Sequence, residues 1–220
     1  MTTTAGDAPT NGRARKLRRG PLTRKQILDA SLKLFSEKGF TRTSVRDIAQ
    51  AAGITDAAIY YHFESKRELF EALIEERGFT SALQDLENAE IEHLTLEPLE
   101  AISSIATGAL ALMYANRDLM KVLLVQAIAE DPVAMEEYGT LMRRWTKAEA
   151  RILKHYIQRD MIRTEDADEL AKQLVITVVG AFSDFIMSPA EAPDEGVPAA
   201  LRRHIEIAMR HIVHGIAQQE

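Results

Sequence analysis

The sequence contains no cysteine. That excludes a disulfide framework and any zinc site built on thiolates. Long hydrophobic runs are also missing: the longest, Leu174 to Phe182, is interrupted by Thr177 and is too short to span a bilayer. The first residues lack the apolar stretch of a secretory signal. No glycine-rich phosphate loop and no nucleophile elbow occurs. These absences argue against an enzyme, a bound cofactor and a membrane partner, and the expectation is a cytoplasmic protein.

What is present is ordinary in amount and uneven in placement. A chain of 220 residues, 46% hydrophobic and 27% charged, can fill one large domain or two modest ones. The net charge is −6, but residues 1–63 hold 11 Lys and Arg against 5 Asp and Glu, while residues 64–220 hold 16 against 28. A basic end on an acidic protein fits a polyanion bound through that end alone.

The most informative stretch is Thr43 to Lys66, TSVRDIAQAAGITDAAIYYHFESK. Val45, Ile48, Ala49 and Ala52 recur at helical spacing and define one apolar face. Gly53 then offers a residue that accepts positive φ and ends the helix. Thr55 is an N-cap for a second short helix, which turns Ile59 and Phe63 inward. Ala57 and Tyr61 face outward, with Asp56, Ala58 and Tyr60 on the flanks. This is the pattern of a helix-turn-helix whose second helix enters a major groove.

The flanks supply the rest of a small domain. Thr23 and Gln26 have capping-box spacing and predict the start of the first helix, whose stripe is Ile27, Leu28, Leu34 and Phe35 and whose end is Gly39. Ser44 with Asp47, or Thr43 in its place, caps the second helix, and Ser65 with Glu68 opens a fourth at Lys66. Residues 1–20 turn from small and polar to basic, with Arg13, Arg15, Lys16, Arg18 and Arg19. They are expected to form a disordered arm, either solvated or lying along the phosphate backbone or in the minor groove.

Phe35, Gly39, Thr43, Arg46-Asp47-Ile48-Ala49, Ala52-Gly53-Ile54, Ile59-Tyr60, His62-Phe63, Lys66 and Leu69 together resemble the TetR/AcrR family of one-component transcriptional regulators. The resemblance covers roughly residues 23–70. It implies an all-α fold: a three-helix helix-turn-helix domain over residues 21–65, then a six-helix ligand-binding and dimerisation domain over 66–220. It also implies a repressor that binds a palindromic double-stranded DNA operator as a homodimer and is released by a small-molecule effector. In similar proteins the positions of Thr43 and Ser44 hold phosphate, as hydroxyls at a helix N-terminus can. Tyr61, His62 and Lys66 would hold phosphates on the other side of the groove, and Arg46 a guanine edge or a phosphate. Thr55, Asp56, Ala57, Ala58 and Tyr60 complete the DNA-binding set. Asp56 can accept from a cytosine amine or simply favour the helix dipole, and the two alanines suit thymine methyls.

Beyond residue 66 no chemical signature appears, only helices. They are expected over Lys66 to Ala89, from Glu97-Pro98, over Asn116 to Ala129, from Pro132 to about Arg159, up to Met187, and over Pro198 to Gln218. The helix ending at Met187 is apolar nearly all round, through Leu170, Leu174, Val175, Val178, Val179, Ala181, Phe182 and Phe185. It therefore needs cover on two sides. The last two helices, the final one striped by Leu201, Ile205, Ala208, Ile212 and Ile216, are expected to pair with a second copy, with close approach at Gly180. Met113, Tyr114, Met142, Trp145, Phe182 and Phe185 are candidate walls of a largely apolar effector cavity, with Met120, Met135 and Tyr138 nearby. Core packing is the alternative role for each. Two other readings stay open: a metal site on the shared face of His204, His211 and His214, and an architectural DNA-binding dimer without a ligand.

Overall fold

The structure is a computed structural model, and it describes residues 12–91, 94–164, 166–187 and 196–216. Among these residues the fold is all-α, with ten helices: α1 (Gly12–Lys38), α2 (Val45–Ala52), α3 (Asp56–His62), α4 (Lys66–Glu76), α5 (Phe79–Glu87), α6 (Pro98–Ala115), α7 (Arg117–Ile128), α8 (Pro132–Gln158), α9 (Ala167–Met187) and α10 (Ala199–Ile216). The chain divides into two compact units, Met1–Phe70 and Glu71–Glu220.

Two expectations about the helices need correction. The first helix does not start at Thr23; α1 already runs from Gly12. Residues 12–22 hold four arginines, a lysine, two leucines and an alanine, all good helix formers, and this run outweighs both Gly20-Pro21 and the local capping signal. From residue 12 the expected arm is thus helical, and its first eleven residues lie outside the described ones. The second correction concerns residues 66–89, which form two helices rather than one. Gly78 adopts φ 84°, a left-handed conformation open to glycine, and breaks the run. Seven helices therefore follow the first three. The Asn116 side-chain amide donates to the carbonyl of Arg77 (3.2 Å), which satisfies a group the break sets free.

Unit 1 is built on an aromatic core. Phe35 and Phe40 pack 5.2 Å apart, and Phe70 sits 5.9 and 5.3 Å from them. Tilted and edge-on arrangements of this kind suit the ring quadrupoles. Ile27, Ile48, Ala49, Ile59, Phe63 and Leu69 are buried around them, one or two from each helix. Each helix thus gives its apolar face to a single small core.

Unit 2 buries the stripes of long helices. In it α8 packs on α5, α7 and α9, and α10 packs on α6 and α9. By length and composition α6 and α9 could each cross a membrane; here both lie packed among helices, each with one face buried. The stripe of α10 is rotated from the expected one. Leu201, Ile205, Met209 and Val213 are buried, while Ala208 and Ile212 are half-buried and Ile207 is exposed. Both rows have helical spacing, so periodicity alone could not choose between them. Asp131 caps α8, its Oδ1 accepting from the N–H groups of Val133 and Ala134 (3.1 Å each). The residues that end α7 and α8, Glu130 and Asp160, carry φ of 60° and 57° where glycine is the usual choice.

Candidate nucleic-acid interface and effector cavity

The turn between α2 and α3 is fixed from both ends. Ser44 caps α2: its hydroxyl accepts from the Asp47 N–H (3.1 Å), and the Asp47 carboxylate accepts from the Ser44 N–H (2.9 Å). The Ser44 hydroxyl and backbone hydrogen bonds hold the Asp47 carboxyl below its ordinary pKa. At the other end Gly53 takes φ 66°. Its N–H bonds Gln50 O (3.2 Å) and the Ile54 N–H reaches Ala49 O (3.0 Å), a Schellman closure. Thr55 then caps α3, accepting from the Ala58 N–H (3.3 Å). Ile59 and Phe63 anchor α3 to the core.

That anchoring decides what α3 presents. Tyr61 is 84% exposed and Tyr60 56%. Asp56 and Ala57 are exposed, Ala58 and His62 half-buried, and Arg46 exposed on α2. The His62 ring stands edge-on to Tyr61 with centroids 5.1 Å apart. Two neighbouring tyrosines this open to solvent contribute little to the core of unit 1.

Of the residues expected at the phosphates, Thr43 is buried and Lys66 is tied back to backbone carbonyls. Thr43 is 1% exposed, and its hydroxyl donates to Gly39 O (2.8 Å) with Leu34 O 3.3 Å away. It ties the end of α1 to the start of α2, so its hydroxyl cannot reach a phosphate. The Lys66 ammonium donates to Phe40 O (2.7 Å) and Thr43 O (2.9 Å), and lies 4.3 Å from the Phe40 ring centre. A lysine one residue past a cap reads as an exposed cation from sequence; the carbonyls it satisfies lie more than twenty residues earlier.

Unit 2 contains a cavity of about 400 Å³ between α5, α6, α7 and α8. Phe79, Leu83, Leu112, Met113, Met120, Met142 and Trp145 line it. Met113, Met142 and Trp145 of the expected set are therefore brought together, and Met120 joins them. Tyr114, Phe182 and Phe185 are not among its walls. Tyr114 and Phe182 are core, and Tyr114 packs on Phe185 with ring centres 5.8 Å apart, where α6 meets α9. Met135 is exposed, as are Asp184 and the three histidines of α10. A wider hollow of about 660 Å³ lies between α8 and α9, where Tyr138, Val175, Ile176 and Val179 share the walls with Arg143, Lys147, Asp168 and Lys172. The smaller, apolar cavity is the better match to a small-molecule site.

One residue near that cavity was missed from the sequence. Glu149 on α8 is 2% exposed, and burial raises its carboxyl to about 8. The signal was faint: it sits one turn after Trp145 in a helix with many exposed charges.

Residues 27–73 match the family of bacterial regulatory proteins described as the tetR family. The transcriptional regulator AcrR of Shigella flexneri is 29% identical over 184 residues, which cover 78% of this chain and 80% of that protein. The chain belongs to the TetR/AcrR family. It is a transcriptional regulator with a helix-turn-helix domain. The transcriptional repressor BepR of Brucella suis is 27% identical over 73% of this chain and 78% of its own. Among solved structures, the SmeT–triclosan complex superposes with a TM-score of 0.72 at 25% identity, over 90% of this chain and 93% of that one. SmeT is a repressor of a multidrug efflux pump in Stenotrophomonas maltophilia. The TetR/AcrR fold thus extends through both units.

Proposed function

We propose that this TetR/AcrR regulator is a cytoplasmic repressor that binds a palindromic operator as a homodimer and leaves it when a small molecule enters the α5–α8 cavity. The observation that carries the DNA reading is the outward face of α3, capped, anchored from behind, and tipped by Tyr60 and Tyr61. Arg46, Thr55, Asp56, Ala57, Ala58 and Tyr60 are positioned for the groove. Ser44, Tyr61 and His62 suit the phosphates. Thr43 and Lys66 support this surface from within.

The homodimer reading rests on α9 and α10. Ile176 is 58% exposed, and with Gly180 and Met187 it forms an outward row on a helix whose other side is core. Ile207 extends the apolar surface on α10. A Cβ at Gly180 would meet no atom within 4 Å, so a substitution there leaves the protomer undisturbed. Release requires an effector that favours a state with mis-spaced recognition helices; tight binding to both states shifts nothing.

Selection of random duplex DNA by the full-length protein tests the reading. The expected product is an inverted repeat, with Ala57→Arg or Ala58→Arg changing the preferred bases. Gly180→Asp should give monomers that bind it poorly. No enriched duplex, or a Gly180→Asp dimer, would contradict it.

A further inference from the structure

We infer that the α5–α8 cavity takes an apolar cation and that Glu149 is the counter-charge that selects it. The inference rests on the proposal that this cavity is the effector site. Trp145 lines the cavity, and its indole N–H donates to the Glu149 carboxyl one helical turn further on. The other carboxyl oxygen, Oε2, is fully buried and has no hydrogen-bond partner among the described residues. A buried acceptor in that condition is costly, and an apolar residue would pack there at less expense.

Of the cations within five residues of Glu149 along α8, Lys147 is exposed to solvent and Lys154 pairs with Asp168 (3.0 Å). Arg144 makes a bidentate pair with Glu87 (2.8 Å for each bond). Arg151 donates to Leu86 O and Ala89 O (3.1 Å each). Of the side chains lining the cavity, Asp85 alone is charged, and it too is an acid. The cavity thus combines apolar walls, an indole and negative polarity with no fixed cation to balance it. An apolar ammonium or amidinium answers all of these at once: its body fills the walls, Trp145 offers a ring face, and the Glu149 carboxyl, bonded to that indole rather than itself a wall, supplies the balancing charge.

The exchange of charge has a definite balance. With the cavity empty, desolvation keeps Glu149 mostly protonated at neutral pH. An entering cation favours the carboxylate, and the displaced proton leaves for solvent. A neutral ligand of the same shape releases none.

Trp145 is the only tryptophan, so its emission reports occupancy without a label. The full-length protein is titrated with 1-adamantylmethylammonium and with its neutral analogue 1-adamantanemethanol, both optically silent. Calorimetry at pH 7 in two buffers of different ionisation enthalpy counts protons. The amine is expected to bind at least about tenfold more tightly than the alcohol and to release close to one proton. Glu149→Gln should remove about tenfold of the amine's affinity and leave the alcohol's unchanged. Equal binding of the two compounds without proton release overturns the role of Glu149 and leaves the cavity standing. If neither compound changes Trp145 emission, the cavity reading fails and the inference fails with it. The wild-type comparison needs no variant, so a folding defect in Glu149→Gln cannot mask the outcome.

Discussion

The two units of the chain use charge and burial in opposite ways. In unit 1 the hydrophobic residues are buried and the chemistry sits outside, on a seven-residue helix whose exposed face does nothing for the core. In unit 2 the outward surface carries the apolar row of α9 and α10, and the unexplained group, Glu149, is inside. On the proposed reading, function departs from packing in both, but in unit 1 it shows as exposed aromatics and in unit 2 as a buried acid. Substitutions can break that contrast or refine it.

The largest effect is expected at Phe35, in the aromatic core of unit 1. Phe35→Ala should cost about 4 kcal/mol and abolish operator binding. Trp145 emission should keep its native position, because that probe lies in unit 2. Loss of both signals in one melting transition would mean that the units unfold together and that the contrast is not thermodynamic.

Next comes Glu149. Its folded pKa is raised, so the folded state binds the proton more tightly than the unfolded chain does. Stability is therefore lost as pH rises from the ordinary glutamate value of 4.5 through about 8. Glu149→Gln removes this dependence and should gain on wild type by on the order of 3 kcal/mol between pH 5 and pH 8. Thermal or urea unfolding across that range checks it. A difference that does not change with pH would place the carboxyl in a wetter setting.

A third test separates support from contact within unit 1. Lys66→Ala removes the ammonium from the carbonyls of Phe40 and Thr43, of which Phe40 O keeps the Thr43 N–H (3.2 Å), and should destabilise the unit by about 2 kcal/mol. Tyr61→Ala should change stability by less than about 0.5 kcal/mol. Denaturant unfolding of both variants side by side reveals whether the roles are divided in this way. Smallest of all, Glu130→Gly relieves a left-handed non-glycine residue at the end of α7 and should raise the stability of unit 2 by about 0.5–1 kcal/mol.

Unit 1 was largely legible because its signals are local. Ser44 and Asp47, Gly53, and Thr55 each act within a few residues, and the face of α3 follows from the spacing of Ile59 and Phe63. What could not be read there is long-range. Lys66 meets Phe40 O and Thr43 O across more than twenty residues, and the burial of Thr43 depends on where α1 ends. In unit 2 helix ends at Pro98, Asn116 and Pro132 were readable, but partners were not. Tyr114 and Phe182 carry the same hydrophobic signature as Met113 and Met142, and only the arrangement of helices assigns the first pair to core and the second to a cavity wall. The two possible stripes of α10 illustrate the same degeneracy.

The most direct test is equilibrium binding of the selected duplex by the full-length wild type and by Tyr61→Ala, repeated over a range of salt. Recognition through α3 predicts that the variant, folded as stably as wild type, binds at least about tenfold more weakly and with a shallower salt dependence. An unchanged affinity and slope for Tyr61→Ala would contradict it.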